Sequence, residues 1–336
     1  MKPLAVSMGD PAGVGLELAA RVWAERRDAP PFVFVGDADA LARAAKRIGL
    51  SAPKVRVVET ASDIGDGLGD ALTVLNTALA MEETPGEPDP ANCDATVAAI
   101  ERGVAAVRTG AASGLVTLPI AKDILQRTGF GFPGHTEFVA HLTAGDAYAG
   151  ERGPVMMLAG PSLKVALATI HTPLAEVPKA LTRDRIVRVG RIVGEALKRD
   201  FGIVSPRIAL CGLNPHAGEH GHIGREEIEI VDPAAAALRS EGWAVSDARS
   251  ADALFHDEAR ASYDAVIALY HDQGLIPFKT LHFWDGVNIT LGLPIVRTSP
   301  DHGTGFDIAG KGVARDDSFR AALAMAWEMA GRRGAA

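Results

Sequence analysis

The feature that most constrains this chain is a set of short apolar runs, each closed by a loop and then a helical pattern. The clearest are Pro31–Val35, Gly114–Leu118, Val155–Ala159, Lys164–Ile170, Arg207–Leu213 and Asp264–Tyr270. None alternates apolar with polar residues, so each suits a strand buried on both faces of a helix-covered, mostly parallel sheet. Between them lie amphipathic patterns. Asn92 is placed to cap a helix carrying Val97, Ile100, Val104 and Val107 on one face, with Gly110 as its stop. A second helix carries Ile186, Val189, Val193 and Leu197, and a third begins near Arg225 and runs towards Gly242. Alternation of strand and helix predicts an α/β fold. At 336 residues the chain exceeds a typical single core, so one large or two medium lobes are expected.

Charge excludes some partners. Lys plus Arg number 34 and Asp plus Glu 42, giving a net charge of −8. No dense basic run supplies the footprint that nucleic acid requires. Cys93 and Cys211 lie far apart without CxxC spacing and read as reduced, buried thiols. The amino terminus meets Asp10 and Pro11 before a secretory apolar segment could form, and no run of about 18 apolar residues could span a bilayer. The expectation is a soluble, cytoplasmic protein without membrane partners. The acidic, proline-rich segment from Met81 to Pro90 reads as a surface excursion.

Three of the apolar runs lead into loops that carry a histidine. KVALATI precedes His171-Thr172-Pro173, RIALCGL precedes Asn214-Pro215-His216, and DAVIALY precedes His271-Asp272-Gln273. Ligands of open α/β sheets bind beyond the carboxyl ends of strands, so these three side chains are placed to converge. Three neutral imidazoles would leave open positions on a divalent ion, as a catalytic metal requires. Any one of them has an ordinary explanation as a loop or packing residue; the repetition is what argues for a set. His141, His256 and His282 lack that repetition and read as surface or packing residues, while His220 and His222 belong to the loop around His216.

A second set suits anions. Lys279, Asn288 and Arg297 follow His271, and a guanidinium binds phosphate or carboxylate in bidentate fashion. His135 and Thr136 open another helical pattern. There Thr136 acts either as a plain helix cap or as a donor to a phosphate at the helix start. Gly129–Gly134 matches GxGxxG formally, but no strand precedes it, so it is set aside as a dinucleotide fingerprint. Met8–Gly15, rich in glycine, is either a plain strand-to-helix turn or a place where a ligand approaches the backbone closely. No GxxxxGK[ST], HExxH or GxSxG occurs.

Together the segments SMGDPAGVGLE, GFPGHTEF, VALATIHTPL, GLNPHAGEHGHIGREE, ALYHDQGLIPFK and VNITLGLPIVRTSPDHGTGFDIAGKG resemble the 4-hydroxythreonine-4-phosphate dehydrogenase family of vitamin B6 biosynthesis. The resemblance runs from residue 7 to residue 312. It implies that His171, His216 and His271 bind a divalent metal (Zn2+, Co2+ or Mg2+). It implies substrate contacts at His135, Thr136, Lys279, Asn288 and Arg297. It also implies an α/β fold like isocitrate and isopropylmalate dehydrogenases, with two lobes around a central cleft. Residues 1–130 plus 296–336 would form the cofactor-side lobe and 131–295 the substrate, metal and dimerisation lobe. A homodimer would complete the metal site across its interface. The segment from His302 to Gly312 resembles the adenosine-binding loop of those dehydrogenases, which places NAD(P)+ near His302, Gly303 and Asp307, with Asp10 and Gly13 also on the cofactor side. Leu16, where family members usually have Pro, and the Phe283-Trp284 pair depart from the family pattern.

The implied chemistry is oxidation of 4-phosphooxy-L-threonine to a β-keto acid, 2-amino-3-oxo-4-phosphooxybutanoate, which decarboxylates to 3-amino-2-oxopropyl phosphate. The metal would polarise the substrate hydroxyl, and the nicotinamide would take the hydride. Asp247, Asp272 and Lys279 are the candidates for general base, with none preferred. Alternatives are a dehydrogenase of four-carbon acid sugar phosphates such as threonate 4-phosphate, a phosphate acyltransferase, and a non-catalytic metal- or phosphometabolite-binding protein.

Overall fold

The computed structural model describes residues 1–26, 29–66 and 69–335. Their contacts separate into two compact units, Met1–Ala147 with Pro294–Ala335, and Tyr148–Leu293. In chain order the strands are β1 (Leu4–Ser7), β2 (Phe32–Gly36), β3 (Val55–Val58), β4 (Leu72–Asn76), β5 (Leu115–Thr117) and β6 (Val155–Ala159). They continue as β7 (Lys164–Leu167), β8 (Arg207–Cys211), β9 (Ala244–Arg249), β10 (Ala265–Ala268), β11 (Val287–Leu291) and β12 (Arg297–Pro300).

In the first unit the sheet order is β3-β4-β2-β1-β5-β12, with every neighbouring pair parallel. β1, β2 and β5 are buried along their whole length, as unalternating apolar runs require. Trp23 of the helix Gly15–Ala24 meets Phe32 edge-on at 5.9 Å, and Phe32 meets Phe319 of the helix Asp317–Ala335 at 6.5 Å. In the second unit the order is β11-β6-β7-β10-β8-β9. β6 runs antiparallel to both β11 and β7, and the remaining pairs are parallel. Leu158, Val165, Ala209, Val266 and Phe278 form part of its core. The expected α/β class with mostly parallel sheets is what the chain adopts.

Several local readings change. Asn92 does not cap the helix Cys93–Arg108 with its side chain. Its amide instead brackets the backbone of Met81, accepting from the N–H and donating to the carbonyl, each at 3.0 Å. The buried face of that helix is built from Ala99, Ile100, Gly103 and Val104, while Val97 and Val107 are only half-buried. The helix expected from Arg225 starts as a π-helical turn, Glu227–Val231, and continues as Asp232–Ser240. The segment from Met81 to Pro90 is not simply a surface excursion. Glu83 is only 3% exposed and takes hydrogen bonds from Arg43 at 2.5 Å and Arg47 at 2.6 Å. Charge counts along a sequence do not reveal that two arginines from one helix will neutralise a buried carboxylate.

The units part at 147/148 and 293/294, where the sequence reading had set 130/131 and 295/296. Residues 131–147 join the first unit because the helix His135–Leu142 packs beside Cys93–Arg108, and Arg108 pairs with Asp146 at 2.5 Å. Among the described residues, no helix is long and apolar enough to cross a membrane.

Candidate functional site

In the second unit β7, β10 and β8 are consecutive and parallel, so their carboxyl ends lie side by side. His171 follows β7, His271 opens the helix His271–Leu281 after β10, and His216 lies in the loop after β8. The rings of His171 and His271 stand 5.8 Å apart. His271 Nδ1 bonds Asp272 Oδ1 at 2.7 Å, and His216 Nδ1 bonds Glu219 Oε1 at 2.6 Å. Each carboxylate is thus an orienting partner for an imidazole, the arrangement that fixes the tautomer of a ligating histidine. The Glu219 hydrogen bond also raises the His216 pKa. Among the described residues of one chain, no three His, Cys, Asp or Glu side chains close into a metal-holding group. The donor chemistry of the three imidazoles fits a borderline divalent ion such as Zn2+.

The His216 loop has an unusual backbone. His216, Ala217, Glu219 and His220 all have positive φ, between 43° and 56°, making a left-handed turn with Gly218 at its centre. Each such non-glycine residue costs on the order of 1 kcal/mol or more and persists only where its surroundings over-determine it. Glu227, buried at the start of the π-helical turn, supplies that constraint. Its Oε1 accepts the Asn214 N–H at 2.7 Å and its Oε2 the Asn214 side-chain amide at 3.0 Å. A Cβ on Gly218 would lie 2.7 Å from Glu227 Oε2, so only glycine fits over the carboxyl. Sequence reading did not single out Glu227; its place in the GREE segment beside NPHAGE was the available signal.

The other residues of this unit are placed as follows. Lys279 lies on the same helix as His271, its Nζ 5.8 Å from the Phe283 ring centre. Asn288 sits in β11, and its Oδ1 is buried without a hydrogen-bond partner. Asp247 accepts from Arg239 at 2.8 Å. Asp247 and Asp272 are therefore both engaged by basic side chains. His282 is buried, as a packing residue should be, with Nε2 on Ser162 Oγ at 2.8 Å and Nδ1 on Asp285 at 3.1 Å.

The first unit holds the remaining anion-binding candidates. Arg297, 3% exposed, donates to Thr117 Oγ1 at 2.6 Å. Burial brings its guanidinium down to about 10, with the charge of Glu137 opposing. Burial, then the charges of Arg297 and Lys122, push His135 well below its ordinary value, so its imidazole is neutral. His135 Nε2 is buried with no hydrogen-bond partner. Helix His135–Leu142 begins after Gly134 with no side-chain cap. Thr136 lies inside the helix, so the reading of Thr136 as its cap is corrected, and the first N–H groups remain available to an anion. Lys122, which the sequence reading missed, belongs to this group by its charge on His135. Gly129–Gly134 follows the helix Lys122–Arg127 rather than a strand, so it lacks the dinucleotide context.

The loops after β1 and β12 meet in the same unit. The N–H of Val14 donates to the Thr304 carbonyl at 2.8 Å, and a Cβ on Gly13 would approach that oxygen to 2.7 Å. Glu17 accepts from the Gly310 N–H at 2.9 Å, and Arg21 donates to the carbonyls of Gly312 and Ala314. Asp10 is buried, accepts from the Ala12 N–H at 2.9 Å, and has its pKa raised chiefly by burial. His302 bonds the Gly303 carbonyl at 2.9 Å, and Gly303 has open space where a Cβ would stand. Asp307 is exposed, its carbonyl accepting from Lys311 at 2.6 Å. A cavity among Lys2, Arg108, Ser113, Val296 and Arg333 lies at the amino-terminal ends of β1, β5 and β12. Ligands of such sheets bind at the opposite ends, so it carries no role here.

The model of the family "Pyridoxal phosphate biosynthetic protein PdxA" matches residues 27–326. A 4-hydroxythreonine-4-phosphate dehydrogenase of Caulobacter vibrioides is 54% identical over 334 residues, covering 99% of each protein. The crystal structure of the enzyme so named from Klebsiella pneumoniae superposes with a TM-score of 0.87 at 38% identity, over 98% of each chain. An isocitrate dehydrogenase of Methylococcus capsulatus shares the fold alone, with a TM-score of 0.50 at 15% identity over 100% of this chain and 87% of that one. Matched over most of its length by the family model and end to end by such relatives, the chain belongs to the PdxA family of pyridoxal phosphate biosynthetic proteins.

Proposed function

We propose that the protein is a nicotinamide-dependent, metal-assisted 4-hydroxythreonine-4-phosphate dehydrogenase. Its substrate would be 4-phosphooxy-L-threonine and its product 3-amino-2-oxopropyl phosphate, formed by loss of CO2 from 2-amino-3-oxo-4-phosphooxybutanoate. Membership of the family carries the reaction. The observation that supports its site is the row of histidines at the ends of three adjacent parallel strands.

His171, His216 and His271 are the residues to hold a divalent ion (Zn2+, Co2+ or Mg2+), with Asp272 and Glu219 orienting two of the imidazoles. When bound, such an ion supplies Lewis-acid activation of a substrate hydroxyl. His135, Thr136 and Arg297 offer donors for the phosphate, Lys279 offers donors for another anionic or polar group of the substrate, and Asn288 Oδ1 offers an acceptor for a substrate N–H or O–H. The orphaned Nε2 of His135 and Oδ1 of Asn288 support this, because buried polar atoms require partners. The loops holding Asp10, Gly13, His302, Gly303 and Asp307 are the proposed cofactor side. A nicotinamide cofactor bound there would supply the hydride acceptor for oxidation of the alcohol. A homodimer is proposed from membership of the family, and exposed apolar side chains on the His271 helix (Ile276 and Leu281) and just after it (Phe283 and Trp284), 42–65% exposed, support it. A second chain would complete the ligand set.

Nicotinamide reduction with 4-phosphooxy-L-threonine, beside threonate 4-phosphate, each with and without a chelator, tests this reading. Chelator-sensitive reduction with the amino substrate is expected. Reduction with threonate 4-phosphate alone moves the protein to sugar-acid catabolism, and silence with both removes the dehydrogenase reading.

A further inference from the structure

We infer that Lys122 is an additional specificity residue of the phosphate subsite, one that favours a dianionic phosphate over a singly charged carboxylate. The inference rests on the proposed reading of His135, Thr136 and Arg297 as the phosphate contacts.

Lys122 is the first residue of the helix Lys122–Arg127, on the connection that leaves the carboxyl end of β5. Asp123 stands beside it in the same first turn and Glu137 lies near Gly134, yet among the described residues Lys122 makes no hydrogen bond and no ion pair within 4 Å. Its stem lies along Gly134: a Cβ on that glycine would be 3.2 Å from Lys122 Cε and 3.6 Å from Nζ. The ammonium therefore stands beside the uncapped start of the helix His135–Leu142.

Four donor groups then face one small region. They are the free N–H groups of the helix start, the orphaned imidazole of His135, the buried Arg297 and Lys122. Glu137 acts on Arg297 against the effect of burial, and its carboxylate lies near the same Gly134 position as Lys122 Nζ. Two cations beside an imidazole and free N–H groups match a group with several acceptor oxygens and two negative charges. A carboxylate offers these donors fewer acceptor oxygens.

The test compares wild type with Lys122→Gln and Lys122→Arg by steady-state kinetics on 4-phosphooxy-L-threonine, with inorganic phosphate and acetate as competitors. Loss of a charge-assisted contact at this exposed position should raise KM about tenfold with kcat within about twofold. Inhibition by inorganic phosphate should weaken in parallel while inhibition by acetate stays the same, and arginine should restore both. Equal KM and equal phosphate inhibition in wild type and Lys122→Gln overturn the inference and leave the dehydrogenase reading standing. A wild-type enzyme that neither turns over the substrate nor is inhibited by phosphate overturns the reading and the inference together. A fall in kcat with KM unchanged marks a structural role and overturns the inference as well.

Discussion

The backbone N–H of Asn214 donates to Glu227 Oε1 at 2.7 Å, joining the first residue of the NPHAGE loop to a buried carboxyl thirteen positions later. That bond holds down one end of the left-handed turn on which His216 stands. In Glu227→Gln one acceptor becomes a donor facing the Asn214 side-chain amide, which Glu226 already holds in its present orientation at 2.7 Å. The expected cost is about 1–3 kcal/mol in denaturant unfolding. Divalent-metal affinity should fall about 10- to 100-fold, as for loss of a group that positions a ligand. Unchanged metal titration in a variant with the predicted stability loss would separate the loop from the metal site.

Removing His216 should act more sharply. His216→Ala deletes a proposed metal ligand from an exposed loop, so the fold and oligomeric state should be retained while metal-dependent turnover falls below detection. Size-exclusion chromatography and nicotinamide reduction with added Zn2+ or Co2+ check both halves. Full activity of wild type after chelation would remove the metal from the mechanism.

Glu83 makes stability depend on pH. Burial works to raise its pKa, but hydrogen bonds from Arg43 and Arg47 outweigh it, so the folded value lies below the ordinary 4.5. A depressed carboxyl contributes stability that is fully present above the unfolded value and is lost as pH falls through the lower folded one. The melting temperature of wild type should therefore drop as pH goes below about 4.5, and Glu83→Gln should flatten part of that slope. At neutral pH the variant should lose about 3 kcal/mol, the scale for breaking a buried ion pair. Parallel pH profiles for the two proteins would show that the pair contributes nothing.

His282 locks the turn between β6 and β7. Its ring bonds Ser162 on one side and Asp285 on the other, and a Cβ on Gly160 would come within 2.4 Å of it. His282→Ala removes both bonds and leaves a cavity, so a loss of about 2–4 kcal/mol is expected in urea unfolding. A loss under 0.5 kcal/mol would mean that the turn closes without the imidazole.

Burial along a strand is written locally, so the α/β class was legible. VFV around Phe34 and VIA around Ile267 are apolar at every position because both faces are covered, and the adopted strands fall within a residue or three of those runs. The three histidine loops were legible for the same reason, since each is the residue pattern at the end of such a run. What brings those loops together is the order β7-β10-β8, which joins strands nearly a hundred residues apart and depends on how whole βα units pack. Lys122 and Glu83 were invisible, and Glu227 was marked only by its place beside the NPHAGE loop, because an isolated lysine or glutamate has the same local pattern whether it faces water or a buried partner. Their roles arise from the desolvation and hydrogen bonding that packing imposes. Sequence alone determined which segments fold and which residue types end them; the tertiary structure decided which charges lost their water and therefore which need a ligand.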